Sequence, residues 1–158
     1  MTRGDLVFVD TNVLLSVSDT SRADHTVCTR LFSAATEAGI HLAVTGQIVR
    51  EYLVVATRPV PDNGLGLSPA NALRNSRELR SRCHLVPEPR EVVAELESLV
   101  GANSLRGKRI HDANLVAAMR THGIGTLLTA NVDDFRPYEA VTALTPADAI
   151  VLLEGLAS

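Results

Sequence analysis

The chain has 158 residues, of which 46% are hydrophobic and 21% charged, and its formal net charge is −3. This composition is ordinary for a soluble globular protein, and the length predicts a single domain over residues 1–158. No apolar run approaches the ~18 residues of a membrane span, the N-terminus lacks the layout of a secretory signal, and two cysteines without metal-ligand spacing argue against a disulfide scaffold. We therefore expect a cytoplasmic protein without a membrane partner, and the net charge neither indicates nor excludes a nucleic-acid ligand.

Short apolar strands alternate with helices in the first half of the chain. The run LVFV over residues 6–9 is typical of a fully buried strand in a parallel sheet, and Asp10 follows it at once. The elements predicted in this half are a strand over 6–9, a helix over 13–18, a helix over 24–38, a strand over 41–44, and a helix capped by Thr45 that ends before Pro59. Pro, Gly and Asn make residues 59–67 the clearest loop.

The same alternation continues in the second half. Ser68 followed by Pro69 is a strong helix start, because a capping serine precedes a proline at the first helical position. The elements predicted here are a helix over 69–81, a strand over 83–86, a helix over 89–100 ended by Gly101, a helix over 109–121, a strand over 126–129, a tight polar turn over 131–134, a strand over 141–144, and a helix from Pro146 through Leu153. The alternation indicates an α/β fold with a mostly parallel sheet and helices on both faces.

Acidic residues occupy four special places in this pattern. Asp10 follows the first strand, Glu51 lies among apolar residues of a helix, Asp112 lies in the first turns of another helix, and Asp134 follows the fourth strand. Each has an ordinary structural explanation by itself: a helix cap for Asp10, an exposed helix face for Glu51, a dipole interaction of about 0.3–1 kcal/mol for Asp112, and a solvated turn for Asp134.

Considered together, these carboxylates are harder to explain structurally. In a parallel sheet the ends of the first and fourth strands share one edge, and the helices that carry Glu51 and Asp112 begin there too. Carboxylates brought so close repel one another unless a cation neutralises them. An all-oxygen site suits Mg²⁺ or Mn²⁺, and such an ion can activate water against a phosphodiester.

Four segments of the chain carry a family resemblance. They are FVDTNVL over 8–14, VREYL over 49–53, HDANLVAA over 111–118 and LTANVDDF over 128–135. In this order they resemble the successive motifs of the PIN-domain ribonucleases, and most closely those of the VapC toxins of VapBC toxin–antitoxin systems. The resemblance implies a three-layer α/β/α sandwich with about five parallel strands. It also implies a Mg²⁺- or Mn²⁺-dependent endoribonuclease that acts on RNA, forms a homodimer and is inhibited by a small VapB-like antitoxin.

The resemblance assigns site residues position by position. Asp10, Glu51 and Asp112 match the three metal-site acids of the family. The matching supporting polar positions are Thr11, Asn12 and Thr129. Asn131 stands where many members have aspartate, so Asp134 is predicted as the fourth acid with Asn131 beside it, and Asp133 as a solvent-facing turn residue.

A basic stripe recurs every third residue on the helix over 69–81. Its members are Arg74, Arg77 and Arg80. Such a stripe is most often a solvated helix face, but here we hypothesise that it contacts the RNA backbone, which would make binding salt-dependent.

Three alternatives remain open at this point. A phosphatase with Asp10 as nucleophile would want a second aspartate two positions on, where Asn12 stands. A non-catalytic RNA-binding or antitoxin-sequestering module would need no metal. A DNA-directed PIN-like nuclease would use the same acids on another substrate.

Overall fold

A five-stranded sheet forms the centre of the molecule in the computed structural model, which describes residues 1–157. The strands are β1 (Leu6–Val9), β2 (His41–Thr45), β3 (His84–Val86), β4 (Thr126–Leu128) and β5 (Thr142–Leu144). All pairings are parallel and the strand order is β3-β2-β1-β4-β5. Central β1 pairs through Phe8 with Ala43 on one side and Leu127 on the other. Its last three residues are fully buried, as the unbroken apolar run predicts.

Helices cover both faces of this sheet. The helices are α1 (Thr11–Ser18), α2 (His25–Ala38), α3 (Gly46–Thr57), α4 (Pro69–Ser81), α5 (Arg90–Asn103), α6 (Arg109–Thr121), α7 (Val132–Phe135) and α8 (Pro146–Ala157). Helix α1 packs on α2 and α3, α3 packs on α4, and α8 packs on α2, whereas α5 and α6 pack on each other. Right-handed crossovers place α1 to α4 on one face and α5 and α6 on the other, and α8 lies on the first face because it packs on α2. The predicted three-layer α/β/α sandwich is confirmed.

Local capping signals place most helix starts correctly. The Thr45 hydroxyl accepts a hydrogen bond from the Ile48 amide at 3.4 Å, and the Ser68 hydroxyl accepts one from the Asn71 amide at 3.2 Å. Gly39 adopts a left-handed φ of 70° and ends α2. These elements were predictable because each cap is built from neighbours in sequence.

Most predicted boundaries lie within one residue of those observed, and four predictions are wrong by more than that. Helix α1 begins at Thr11 rather than residue 13, since Asp10 itself caps it. Gly101 does not end α5, which continues to Asn103 before Ser104 turns left-handed at φ 49°. The predicted polar turn over 131–134 is largely the short helix α7. Helix α8 passes residue 153 and continues to the end of the described chain.

The topology sets where a ligand could bind. The chain leaves β1 toward β2 on one side and later returns to β4 on the other, so the switch point lies between β1 and β4. Asp10 and Thr129 directly follow these two strands. No helix within residues 1–157 is long and apolar enough to cross a membrane.

Candidate active site at the carboxyl edge of the sheet

Asp10 is held rigidly at the end of β1. Its Oδ1 accepts a hydrogen bond from the Thr11 amide at 2.6 Å. Its Oδ2 accepts from Asn12 Nδ2 at 2.7 Å and from Thr129 Oγ1 at 2.6 Å. Burial raises the pKa of this carboxyl, and the three hydrogen bonds oppose that rise. The structure thus brings the predicted residues Asn12 and Thr129 into contact with Asp10.

Glu51 faces the same edge from the second turn of α3. Its Oε2 accepts a hydrogen bond from Thr11 Oγ1 at 2.9 Å, and its Oε1 accepts one from Gln47 Nε2 at 2.7 Å. The side chain is only 34% exposed. Glu51 therefore points into the cleft rather than along an exposed helix face, and its charge raises the pKa of Asp10 further.

Asp112 is half-buried near the start of α6 on the other face of the sheet. Its pKa rises from 3.8 to about 6. Burial is the largest cause, and repulsion by Asp134, Asp10 and Glu51 follows in that order. The charges of the other three predicted acids therefore all act on the Asp112 carboxyl, although the four residues lie on separate parts of the chain.

Residues 131–134 divide into different environments. Asn131 is exposed, its amide donates to Thr129 Oγ1 at 3.0 Å, and its side chain makes no hydrogen bond within residues 1–157. Asp133 points to solvent and pairs with Arg136 at 2.8 Å. Asp134 is also exposed, but it is the acid that acts most strongly on Asp112. The effect of its charge on Asp112 makes Asp134 a better candidate than Asp133 for the fourth acid.

The acids supply the oxygen ligands that a divalent ion prefers, but their side chains are not yet close enough together to surround one. Within residues 1–157, no three His, Cys, Asp or Glu side chains lie close enough to hold a metal ion as placed. Burial and the charges of Asp134, Asp10 and Glu51 raise the pKa of Asp112, and a bound cation would relieve this repulsion. This arrangement fits a hydrated Mg²⁺ or Mn²⁺ ion, which takes one or two carboxylates and keeps several waters.

A small cavity adjoins two of these acids. It measures about 100 Å³ and lies between Asp112 and Asp134, with Arg109, Asn103 and Tyr138 on its walls. Burial and the charge of Asp112 raise the pKa of the Tyr138 phenol. Arg109 places a guanidinium group on the wall of the same cavity as the two carboxylates, where it could contact an anion.

Sequence reasoning missed a polar network beside Glu51. Its members are Gln47, Glu88 and Asn114, joined to one another by hydrogen bonds. One signal was present, because Gln47 precedes Glu51 by four residues and therefore shares its helix face. The partners, Glu88 in the loop after β3 and Asn114 on α6, are distant in sequence and left no such signal.

The predicted basic stripe lies on an exposed face of α4. Arg74, Arg77 and Arg80 are all exposed, and none of them forms an ion pair within the described part of the chain. Their guanidinium groups are therefore available to an anionic partner.

The raised pKa of Asp112 predicts how metal-free stability depends on pH. Its pKa is 3.8 when unfolded and about 6 when folded, so the folded state binds the proton more tightly. Protonation therefore stabilises the fold as pH falls through that window. We expect the melting temperature of Asp112→Asn in EDTA to exceed that of the wild type at about pH 7, the gap to narrow as pH falls below about 6, and the gap to close only below about pH 4, where the unfolded carboxyl is protonated too. A gap independent of pH in calorimetric scans would contradict this expectation.

A family model described as PIN domain matches residues 7–141. No curated protein matches the chain in sequence.

Solved structures share the fold at low identity. A toxin–antitoxin complex from Klebsiella pneumoniae is similar with a TM-score of 0.61 at 19% identity, covering 89% of this chain and 97% of that chain. VapBC-1 from nontypeable Haemophilus influenzae has a TM-score of 0.67 at 11% identity, with coverage of 90% and 98%. VapC20 from Mycobacterium tuberculosis, a sarcin–ricin loop cleaving toxin, has a TM-score of 0.60 at 15% identity, with coverage of 77% and 86%. Because the family model spans residues 7–141, more than half of the sequence, this chain belongs to the PIN domain family.

Proposed function

We propose that this protein is a Mg²⁺- or Mn²⁺-dependent endoribonuclease that hydrolyses RNA phosphodiesters. The observation that carries the proposal is the electrostatic convergence on Asp112, whose pKa is raised by Asp134, Asp10 and Glu51 as well as by burial. Four mutually repelling carboxylates at one cleft destabilise the fold. They are useful for binding a divalent cation that acts on a phosphodiester. Membership of the PIN domain family supports the same chemistry.

The hydrogen bonds suggest a role for each acid. Asp10 and Asp112 would hold the ion, Asp10 in a fixed orientation because both of its oxygens already accept hydrogen bonds. Glu51 is anchored through Thr11, and its remaining lone pairs can orient an entering water and accept its proton. Asp134, beside Asn131, would complete the site. A bound ion would supply electrostatic stabilisation of the charge that develops on the phosphate and lower the pKa of a bound water.

The anchoring of Asp10 also bears on the phosphatase alternative. A nucleophilic aspartate needs a free oxygen directed at phosphorus. Here Oδ2 accepts two hydrogen bonds, one of them from Asn12 at 2.7 Å, and Oδ1 accepts a third from the Thr11 amide. Oδ1 keeps a lone pair that could bind a metal ion or attack phosphorus, so the phosphatase is disfavoured by Asn12, which stands where such an enzyme would have a second aspartate and instead donates to Oδ2.

We further propose that the protein is the toxin of a type II toxin–antitoxin pair, with a VapB-like antitoxin as its partner and a homodimer as its assembly. The support is the likeness of fold to toxin–antitoxin complexes and to a VapC toxin. Growth arrest on expression without a partner, relieved by Asp10→Asn, is the result expected of a toxin. Normal growth with active protein present would contradict the toxin role while leaving the nuclease proposal intact.

The nuclease proposal is tested by incubating purified protein with bacterial total RNA. We expect discrete cleavage products with Mg²⁺ or Mn²⁺, none with EDTA, and none from Asp10→Asn. Asp133→Asn is the matched control, because Asp133 lies beside the site but pairs with Arg136 in solvent. It should cleave like the wild type. Cleavage that persists in EDTA, or in Asp10→Asn, would overturn the proposal, and plasmid and single-stranded DNA assayed in parallel test the DNA alternative.

The basic stripe of α4 makes a separate prediction about RNA affinity. If Arg74 and Arg77 contact phosphates, Arg74→Ala combined with Arg77→Ala should weaken RNA binding. The slope of log affinity against log salt should become shallower by about 1 to 2, since each contact to a single strand contributes about 0.7. Fluorescence anisotropy over a salt series measures both quantities. Unchanged affinity and slope would show that the stripe is only a solvated helix face.

A further inference from the structure

Gln47 connects Glu51 to helix α6 through one side-chain amide. Its Nε2 donates to Glu51 Oε1 at 2.7 Å and to the backbone carbonyl of His111 at 2.9 Å. The residue is 6% exposed, so these bonds are largely shielded from water. Because His111 immediately precedes Asp112, this amide spans the space between two of the candidate catalytic acids.

The rest of the Gln47 residue is held just as firmly. Asn114 Nδ2 donates to Gln47 Oε1 and to Glu88 Oε1, the latter at 3.0 Å. Glu88 Oε2 in turn accepts from the Gln47 backbone amide at 3.2 Å. The network of Gln47, Asn114 and Glu88 therefore forms a closed ring between α3, α6 and the loop that follows β3.

The topology explains why such a link matters. Helices α3 and α6 lie on opposite faces of the sheet, so packing within a layer cannot set the distance between them. Glu51 lies on α3 and Asp112 lies on α6. Apart from a longer His111–Glu51 contact of 3.6 Å, the hydrogen bonds that join the two helices directly all involve Gln47 in the described chain.

From this arrangement we propose that Gln47 is a positioning residue that fixes Glu51 relative to Asp112 across the mouth of the cleft. The catalytic part of this inference rests on the proposed nuclease function. Gln47 touches neither substrate nor ion, and it acts through the orientation of Glu51 and the start of α6. Asn114 fixes the orientation of the Gln47 side-chain amide, and Glu88 holds the Gln47 backbone amide.

Glutamine suits this role because it carries a donor and an acceptor on one short side chain. The amide nitrogen supplies two protons, one for the Glu51 carboxylate and one for the His111 carbonyl, while the amide oxygen receives Asn114. Glutamate could not donate to either oxygen. Methionine has nearly the same length and volume but forms none of these bonds, so it removes the link with little change in packing.

The experiment compares Gln47→Met with the wild type in two readouts. We expect kcat for a short RNA substrate to fall by about 10- to 100-fold with KM within about threefold, as for other residues that orient a metal-site ligand. We also expect hydrogen exchange of the amides over residues 112–116 to quicken about tenfold, because the start of α6 loses its anchor. Amides over residues 117–121 should not change.

Thr121→Val is the matched control, since it removes a hydrogen bond to the Ala117 carbonyl at the far end of the same helix. It should leave kcat unchanged. Asn114→Ala provides a second variant if Gln47→Met folds poorly, with a smaller loss of kcat expected. The double variant should be no worse than Gln47→Met alone, because Asn114 acts through Gln47.

Three outcomes would overturn the inference. They are a kcat in Gln47→Met within about threefold of the wild type, a loss of kcat with unchanged exchange at residues 112–116, and additive losses in the double variant. If the wild type itself cleaves no RNA, the proposed function fails, while the exchange comparison still tests whether Gln47 anchors α6.

Discussion

If the proposed nuclease function is correct, replacing Asp112 by asparagine is expected to reduce RNA cleavage about 1,000-fold or more, comparable to the loss of a central catalytic group in known hydrolases. The same change should raise the melting temperature of the metal-free protein. Both effects have one cause, since the Asp112 charge is repelled by Asp134, Asp10 and Glu51 until a cation is present. Asparagine is nearly isosteric and removes that charge.

This combination of lost activity and gained stability separates a catalytic carboxylate from a structural one. Cleavage is measured with Mn²⁺ in excess, and melting is measured in EDTA by calorimetry. Asp133→Asn serves as the control because Asp133 pairs with Arg136 at 2.8 Å and should change neither quantity greatly. Full activity in Asp112→Asn would remove Asp112 from the site, and a lowered melting temperature would contradict the repulsion argument.

Replacing Phe8 by alanine is expected to lower the free energy of unfolding by about 3–5 kcal/mol. Phe8 lies on the central strand with 0% exposure, and its backbone pairs with both neighbouring strands. Truncation removes a large apolar side chain and leaves a cavity that β2 and β4 cannot fill without breaking their register. Urea unfolding followed by circular dichroism measures the change.

Val54→Ala is the control for this prediction. Val54 is 56% exposed on α3, so its truncation should change the unfolding free energy by only about 0.5 kcal/mol or less. A loss below about 1 kcal/mol in Phe8→Ala would show that the centre of the sheet repacks around the missing ring. Since Asp10 follows two residues later, the variant should also lose cleavage as β1 loosens.

Local sequence signals predicted the five strands, most helix starts and the fold class. The β1 run is unbroken because both faces of a central parallel strand are covered, and the caps at Thr45 and Ser68 bond only to residues three positions away. Such features depend on neighbours in sequence, so the residues themselves carry the information.

Helix ends were less predictable because tertiary contacts decide them. Gly101 is a natural stop by propensity, but α5 packs along α6 and continues to Asn103. The segment over 131–134 reads as a turn by composition. It becomes the start of α7 because Phe135 is buried, at 2% exposure, and its burial draws the preceding residues into a helical turn.

The sequence by itself determined the acids, their order along the chain and the edge of the sheet on which Asp10, Glu51 and Asp112 would meet. Only the tertiary structure decided that the Asp112 carboxyl carries a pKa of about 6 and that Gln47 joins the two helix layers. The physical reason is separation along the chain. Asn114 reaches Gln47 across 67 positions and Glu88 across 26, and a hydrogen bond over such a span leaves no periodicity or spacing in the residues between.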